Sequence, residues 1–262
     1  MSENDFEGQT WCVVLAWRGN DYVGWQIQPN GVSIQSQVQA ALTALCGGDH
    51  QIVADATGRT DSGVHAEMQY VSFRLPVRRT EVQVSEGLNY HLPPDIRCLS
   101  ARKMPAGFSP RAWAHSKLYR YRILNRIPGC PFRQDVVWHL KQKLNVAAMK
   151  EAIIHLEGQH DFQSFRAARC AAKTTVRTIN RATVCELDDG EVRNEFEGNG
   201  FLRHQVRIMV GTLVDVGLGR RAPTDVMQVR LATDRSKAGR TAPAQGLTLV
   251  HVELGEGPSG RT

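Results

Sequence analysis

"ADATGRTDSGVHAEMQYVSF", residues 54–73, joins two strand-forming runs through a turn that carries a single acid. Upstream, "QIVADA" (51–56) reads as a strand. Downstream, in "QYVSFRL" (69–75), Val71, Phe73 and Leu75 alternate with Tyr70, Ser72 and Arg74, the pattern of a sheet with one buried face. The connection holds Asp61 between Gly58 and Gly63. "DSG" is a turn sequence in its own right, so Asp61 reads either as a turn residue or as a functional acid. A reactive carboxylate needs a fixed backbone, a cation to keep it ionised and access to substrate. The glycines permit the first. Nearness in sequence does not make Arg59 the partner of this carboxylate, which leaves the countercharge open to another part of the sequence.

Outward from this connection, "WCVVLAW" (11–17) is short, apolar and β-branched, a central strand. Ser33 can cap a helix whose apolar positions Ile34, Val38, Ala41, Leu42 and Leu45 recur at helical spacing before Gly47 and Gly48 stop it. A short helix over 80–90 ends at Pro93 and Pro94, and "IRCLSARKMP" follows as strand and turn. A second unit begins near Ala114. In "LYRYRIL", Tyr119, Tyr121 and Ile123 share one face, with Arg120 and Arg122 on the other. Asn145 can cap a helix ending at Gly158, and the "DDG" turn at 188–190 separates two further strands. "FLRHQVRIMVGTLVDVG" (201–217) reads as one helix and "LTLVHVEL" (247–254) as a strand. The expectation is α+β: two successive units of antiparallel strands and helices, 1–113 and 114–262.

The 262 residues are 42% apolar and 22% charged, an ordinary globular composition, with no apolar run long enough to span a bilayer. The polar, acidic opening lacks the basic start and apolar core of an export signal, so the expected location is the cytoplasm. Six scattered cysteines form no CxxC pair and read as buried thiols, and the nine histidines form no HExxH; no metal is expected. Net charge is +6. Nine bases and no acid lie between Asp95 and Asp135. A second acid-free run, 162–185, carries Arg166, Arg169, Lys173, Arg177 and Arg181. One such run can be a solvated face; two favour a phosphate backbone as partner.

Arg207 is a candidate countercharge for Asp61. Four positions from Arg203, it would share a helix face with that residue, anchored by Val206, Met209 and Val210, and a guanidinium can hold a carboxylate through two parallel hydrogen bonds. An arginine at a helix flank is the plainer reading. Tyr119 can stack on a base, exchange a proton at its phenol, or pack at a sheet edge; Trp25 can stack on RNA or pack.

Taken together, these features closely resemble the TruA family of tRNA pseudouridine synthases. The matching stretches, in family order, are "GRTDSGVHA" (58–66), "GLNYHLPPDI" (87–96), "KLYRYRI" (117–123), "GQHDFQSFR" (158–166), "FLRHQVRIMVG" (201–211) and "APAQGLTL" (242–249). The resemblance implies two ferredoxin-like halves forming an extended, mainly antiparallel sheet with flanking helices and a central catalytic cleft. It implies Asp61 as nucleophile, Arg59 near the flipped nucleotide, Arg207 paired with Asp61, Tyr119 packed on the target base as candidate general base, and Leu247 lining the pocket. It further implies uridines 38, 39 and 40 of the tRNA anticodon arm as targets, a homodimer, no cofactor, and neither DNA nor membrane as partner. Arg111, Lys117, Arg166, Arg169, Lys173 and Arg203 are candidate RNA contacts. The chain departs from the family at Ser62, where alanine is usual and a hydroxyl can add one hydrogen bond, at Arg18, which replaces an acid, and at Ile27, which replaces a base that usually faces RNA. A noncatalytic RNA-binding protein would account for the basic runs but not the six ordered matches. A glycosidase would ordinarily need a second working carboxylate, and none stands out beside Asp61.

Overall fold

The computed structural model describes residues 8–168 and 170–257. The chain divides into two compact units, Met1–His115 with His251–Thr262, and Ser116–Val250.

The first unit begins with β1 (Gln9–Trp17), α1 (Ile34–Leu45), β2 (Asp55–Ala56) and β3 (His65–Leu75). It continues with α2 (Glu81–His91), β4 (Ile96–Met104) and the single turn α3 (Pro110–Trp113). Strands β4, β1, β3 and β2 pair in that order and all antiparallel, with Val13 opposite Val71 on β3 and Ala101 on β4. An order of fourth, first, third and second strands in a βαββαβ chain is the ferredoxin-like arrangement. Alternation sets its faces. Trp11, Val13 and Leu15 of β1 and Val71, Phe73 and Leu75 of β3 are buried, together with Val38 and Leu42 of α1 and Val84 and Leu88 of α2. Both helices begin on capping boxes, Ser33 with Ser36 and Thr80 with Gln83, each satisfying two otherwise orphaned amides.

The second unit takes up the chain with β5 (Ala114–Leu124), β6 (Trp138–His139), α4 (Val146–Ile153), β7 (Gly158–Asp161) and β8 (Val176–Glu186). It ends with β9 (Glu191–Gly198), α5 (Gln205–Gly217), α6 (Asp225–Leu231) and β10 (Leu247–Leu254). Its strands lie in the order β10, β5, β9, β8, β7, and β6 adds a parallel pair to β5. Without β6, β7 and α6 this is the same βαββαβ order, so the α+β expectation holds in each unit. Phe196 of β9, Tyr121 and Ile123 of β5, Met149 and Ile153 of α4, and Met209 and Leu213 of α5 are completely or almost completely buried. Among the described residues no helix is long and apolar enough to cross a membrane.

Three expectations require correction. The strand expected over 51–56 shrinks to Asp55–Ala56, because side-chain amides of α1 take the backbone groups that a neighbouring strand would have used. The Gln39 carbonyl accepts from Ala54 N at 3.1 Å and the Gln35 amide donates to Ala54 O at 2.9 Å. The helix expected from residue 201 starts at Gln205, since His204 is left-handed (φ 61°) and the Gln205 side chain turns back to accept from Leu202 N at 2.7 Å. The cysteines are only partly buried thiols. Burial pushes the ionisation of Cys12 and Cys98 up to about 12, whereas Cys185 is exposed.

Acids of β9 and the turn before it neutralise much of the basic run carried by β5. Glu195 accepts from Arg120 at 2.8 Å, and the almost fully buried Glu191 accepts from Arg122 at 2.8 Å, from Arg193 at 3.3 Å and from Arg133. Burial pushes the Glu191 carboxyl up, but the hydrogen bonds of Arg122 and the charges of Arg122, Arg133 and Arg193 outweigh it and leave it below the ordinary value of 4.5. A depressed carboxyl stabilises the fold above its unfolded value, and that contribution disappears as pH falls through the folded one. Thermal unfolding of the wild type is therefore expected to lose stability below about pH 4.5, with a shallower acid limb in Glu191→Gln. Phe196→Ala, which empties a fully buried ring site, is expected to cost about 3–5 kcal/mol, read as a lowered urea midpoint at unchanged slope.

Candidate active site

Asp61 is half-buried on the connection between β2 and β3, between buried Thr60 and Val64 and beside exposed Arg59. The connection has one turn of its own, closed by Val64 N donating to Asp61 O at 3.2 Å, with Gly63 left-handed at φ 77°. At its upstream end the Gln69 amide donates to Gly58 O at 2.7 Å, and Thr57 Oγ1 bonds the Gln69 carbonyl.

The segment following β1 holds the rest of the connection. Trp17 Nε1 donates to Val64 O at 3.1 Å, Gly19 N to His65 Nδ1 at 3.0 Å, and Trp25 N to Thr60 O at 3.2 Å. The Tyr22 carbonyl accepts from Gly63 N at 3.2 Å and from Ser62 Oγ at 3.3 Å. That last contact is the added hydrogen bond a serine allows at this position. The approach is close enough to require glycine: a Cβ on Gly24, which sits at φ 101°, would lie 2.5 Å from Thr60 O. Trp25 is 4% exposed and stacks on Trp17 at 5.9 Å, so it packs beneath the segment and its ring is not presented to RNA.

In the second unit, Tyr119 stands on β5 opposite Phe196 of β9, half-buried, with its ring edge-on to Phe201 at 5.1 Å. Arg207 lies in the first turn of α5. Its Nε donates to Ala242 O at 2.8 Å and its carbonyl accepts from Ala242 N at 3.0 Å, which ties α5 to the segment leading into β10. That segment runs against its neighbours at glycines. A Cβ on Gly211 would meet Arg240 O at 1.8 Å, and one on Gly246 would meet the Tyr121 ring at 2.6 Å. Leu247 follows, 4% exposed, at the first residue of β10. Burial pushes the Tyr121 phenol up while Arg207 and Arg240 pull the other way; its hydroxyl donates to Pro243 O at 2.7 Å, so Tyr121 is a neutral donor that holds the same segment.

Within the second unit, Arg166, Lys173 and Arg203 are associated with one irregular stretch. Ala167 N donates to Arg203 O at 3.1 Å, and the Arg166 guanidinium donates to Cys170 O at 2.5 Å. Arg203 and Lys173 are exposed. Because Arg203 precedes the start of α5, it does not share a helix face with Arg207. Lys117 is half-buried on β5, Arg111 of the first unit is exposed on α3, and Arg169 lies outside the described residues. Sequence reasoning missed Tyr22, His65 and Asp95 as supports of the Asp61 connection. Their partners are far away in the chain, and the stretches that contain His65 and Asp95 do not show which residues they meet.

A family model described as tRNA pseudouridine synthase matches residues 152–254. The tRNA pseudouridine synthase A of Myxococcus xanthus is 43% identical over 250 residues, 95% of this chain and 94% of the relative. That of Acidiphilium cryptum (strain JF-5) is 46% identical over 247 residues, 92% and 95%. The chain belongs to the TruA family of tRNA pseudouridine synthases. Its reaction is therefore the isomerisation of uridine in tRNA to pseudouridine, and a noncatalytic RNA-binding role is not favoured. The synthase of Geobacter sulfurreducens is 44% identical over 247 residues, 92% of this chain and 98% of the relative. Likeness to solved structures is remote: a Cbf5-Nop10-Gar1 complex matches at a TM-score of 0.35 and 12% identity, over 91% of this chain and 57% of that one.

Gly24→Ala is expected to cost about 1–3 kcal/mol through the left-handed backbone alone, with a further loss from the clash at Thr60 O. A melting temperature within one degree of wild type would show that the connection accommodates a methyl group there.

Proposed function

We propose that Asp61 is the nucleophile of this synthase, acting on uridines 38, 39 and 40 of the tRNA anticodon arm. The observation that carries this reading is the connection itself: an irregular segment fixed by hydrogen bonds on both sides of one half-buried carboxylate. Family resemblance adds the other roles. Arg207 supplies the countercharge, Tyr119 packs on the target base and is the candidate for the final proton removal, Leu247 lines the pocket, and Arg59 positions the flipped nucleotide. The enzyme works as a cytoplasmic homodimer, with Arg111, Lys117, Arg166, Arg169, Lys173 and Arg203 as phosphate contacts and with neither DNA nor membrane as partner.

The reaction breaks the N1 to C1′ bond, rotates the uracil and forms a C5 to C1′ bond, with loss of the C5 proton. No electrons are exchanged and no group is donated, so no cofactor is required. The Asp61 carboxylate attacks C1′ or C6, or removes a sugar proton to give a glycal; all three routes need it ionised and need the freed uracil retained. A nucleotide near the anticodon loop leaves the stack at lower cost than one within a long duplex.

Asp61→Asn is expected to keep the fold and most tRNA affinity while forming no pseudouridine. The measurement is tritium release from C5-labelled uridine in an anticodon-arm RNA, with free uracil assayed in the same reaction. Near-wild-type release would overturn the nucleophile assignment, and free uracil in place of pseudouridine would point to glycosidase chemistry. Arg207→Leu is expected to lower activity with some loss of stability, because the guanidinium also anchors Ala242.

A further inference from the structure

Between Trp17 and Trp25 the chain has no strand or helix, yet it is the template on which the Asp61 connection lies. Tyr22 is central to it. The residue is 7% exposed, its amide donates to Gly19 O at 3.1 Å, and its carbonyl receives the two residues that follow Asp61. Its phenol donates to Asp95 Oδ1 at 2.8 Å. Asp95 is itself braced. Its carbonyl accepts from Arg18 N at 3.0 Å, so it grips both ends of the segment 18–22. The turn it occupies, after Pro93 and Pro94, is closed by Ile96 N donating to Pro93 O at 3.0 Å and by the Arg97 guanidinium on the same oxygen at 2.7 Å. A line of contacts therefore runs from the start of β4, through a charge-assisted hydrogen bond, to the backbone beside the proposed nucleophile.

We infer that Tyr22 and Asp95 form a positioning pair that sets the placement of Asp61 for the chemical step without contributing to tRNA affinity. The inference rests on Asp61 being the nucleophile. Neither side chain touches reacting atoms in this role. Both act through the carbonyl of Tyr22, which moves if the phenol loses its anchor, and a displacement of about 1 Å at a reacting group can cost on the order of a hundredfold in rate. A role confined to stability would lower the melting temperature and leave turnover by the folded enzyme unchanged.

The test compares Tyr22→Phe, Asp95→Ala and Asp95→Asn in the full chain, with Asp61→Asn in parallel, using single-turnover pseudouridine formation on tRNA, steady-state kcat and KM, and amide hydrogen exchange. Tyr22→Phe and Asp95→Ala are expected to lower kcat roughly tenfold or more, with KM within about twofold, and the double variant to be no slower than the slower single one. Asp95→Asn keeps an acceptor for the phenol and is expected to retain most of the rate. In Tyr22→Phe the amides of Gly63 and Trp25 exchange faster while those of β8 and β9 do not change. Wild-type kcat in Tyr22→Phe, a rise in KM alone, or unchanged Gly63 protection overturns the positioning role. If Asp61→Asn is inactive in the same series, the nucleophile assignment survives that outcome; an active Asp61→Asn overturns both. Tyr22→Phe, which removes one hydroxyl, carries the test should Asp95→Ala fail to fold.

Discussion

The first unit depends on one juxtaposition, the segment after β1 laid along the connection between β2 and β3. Neither stretch has regular structure, and each supplies the hydrogen-bond partners that the other would lack. Buried backbone groups cannot be left unpaired without losing the equivalent of a hydrogen bond each, so the two irregular segments are fixed mutually or not at all. That condition explains the glycines at positions 19 and 24, where any side chain would separate the two backbones. It also gives a short acid-bearing turn the rigidity of a sheet.

The second unit solves a related problem with a helix. Arg207 is held by a reciprocal pair of bonds with Ala242, and Gly211 lets the following backbone come against α5 at the level of Arg240. The segment from Gly239 to Gly246 is thereby fixed between α5 and Tyr121, which carries Leu247 to the start of β10. Each unit thus places its candidate residues on irregular chain clamped to a βαββαβ framework. The framework supplies the sheet and helices; the clamps fix the irregular chain between them.

Local signals were readable and distant ones were not. The caps at Ser33 and Asn145, the glycine stop after α1 and the alternation in β3 and β5 each depend on a few neighbouring residues, and each appears where the pattern places it, whereas α4 ends at Ile153, short of Gly158. The strand over 51–56 failed because two glutamines of α1 compete for the backbone of Ala54, a tertiary effect with no trace in the segment itself. The acid-free run 96–134 is less basic in space than in sequence. Runs are one-dimensional, and β9 places Glu191 and Glu195 beside the arginines of β5 from about 70 positions away. The turn at Asp61 was legible because its chemistry is local. The contact between Tyr22 and Asp95 was not, since 73 positions separate them and the stretch that holds Asp95 does not name its partner.

The division of the chain has a further consequence for how the protein is made. Residues 251–257 belong to the first unit, where Gly255 N donates to Trp113 O at 2.9 Å, although the whole of Ser116–Val250 is synthesised in between. Units generally fold as they leave the ribosome, N-terminal first. Here the earlier-made unit cannot form its contact at Trp113 until the later one has been translated.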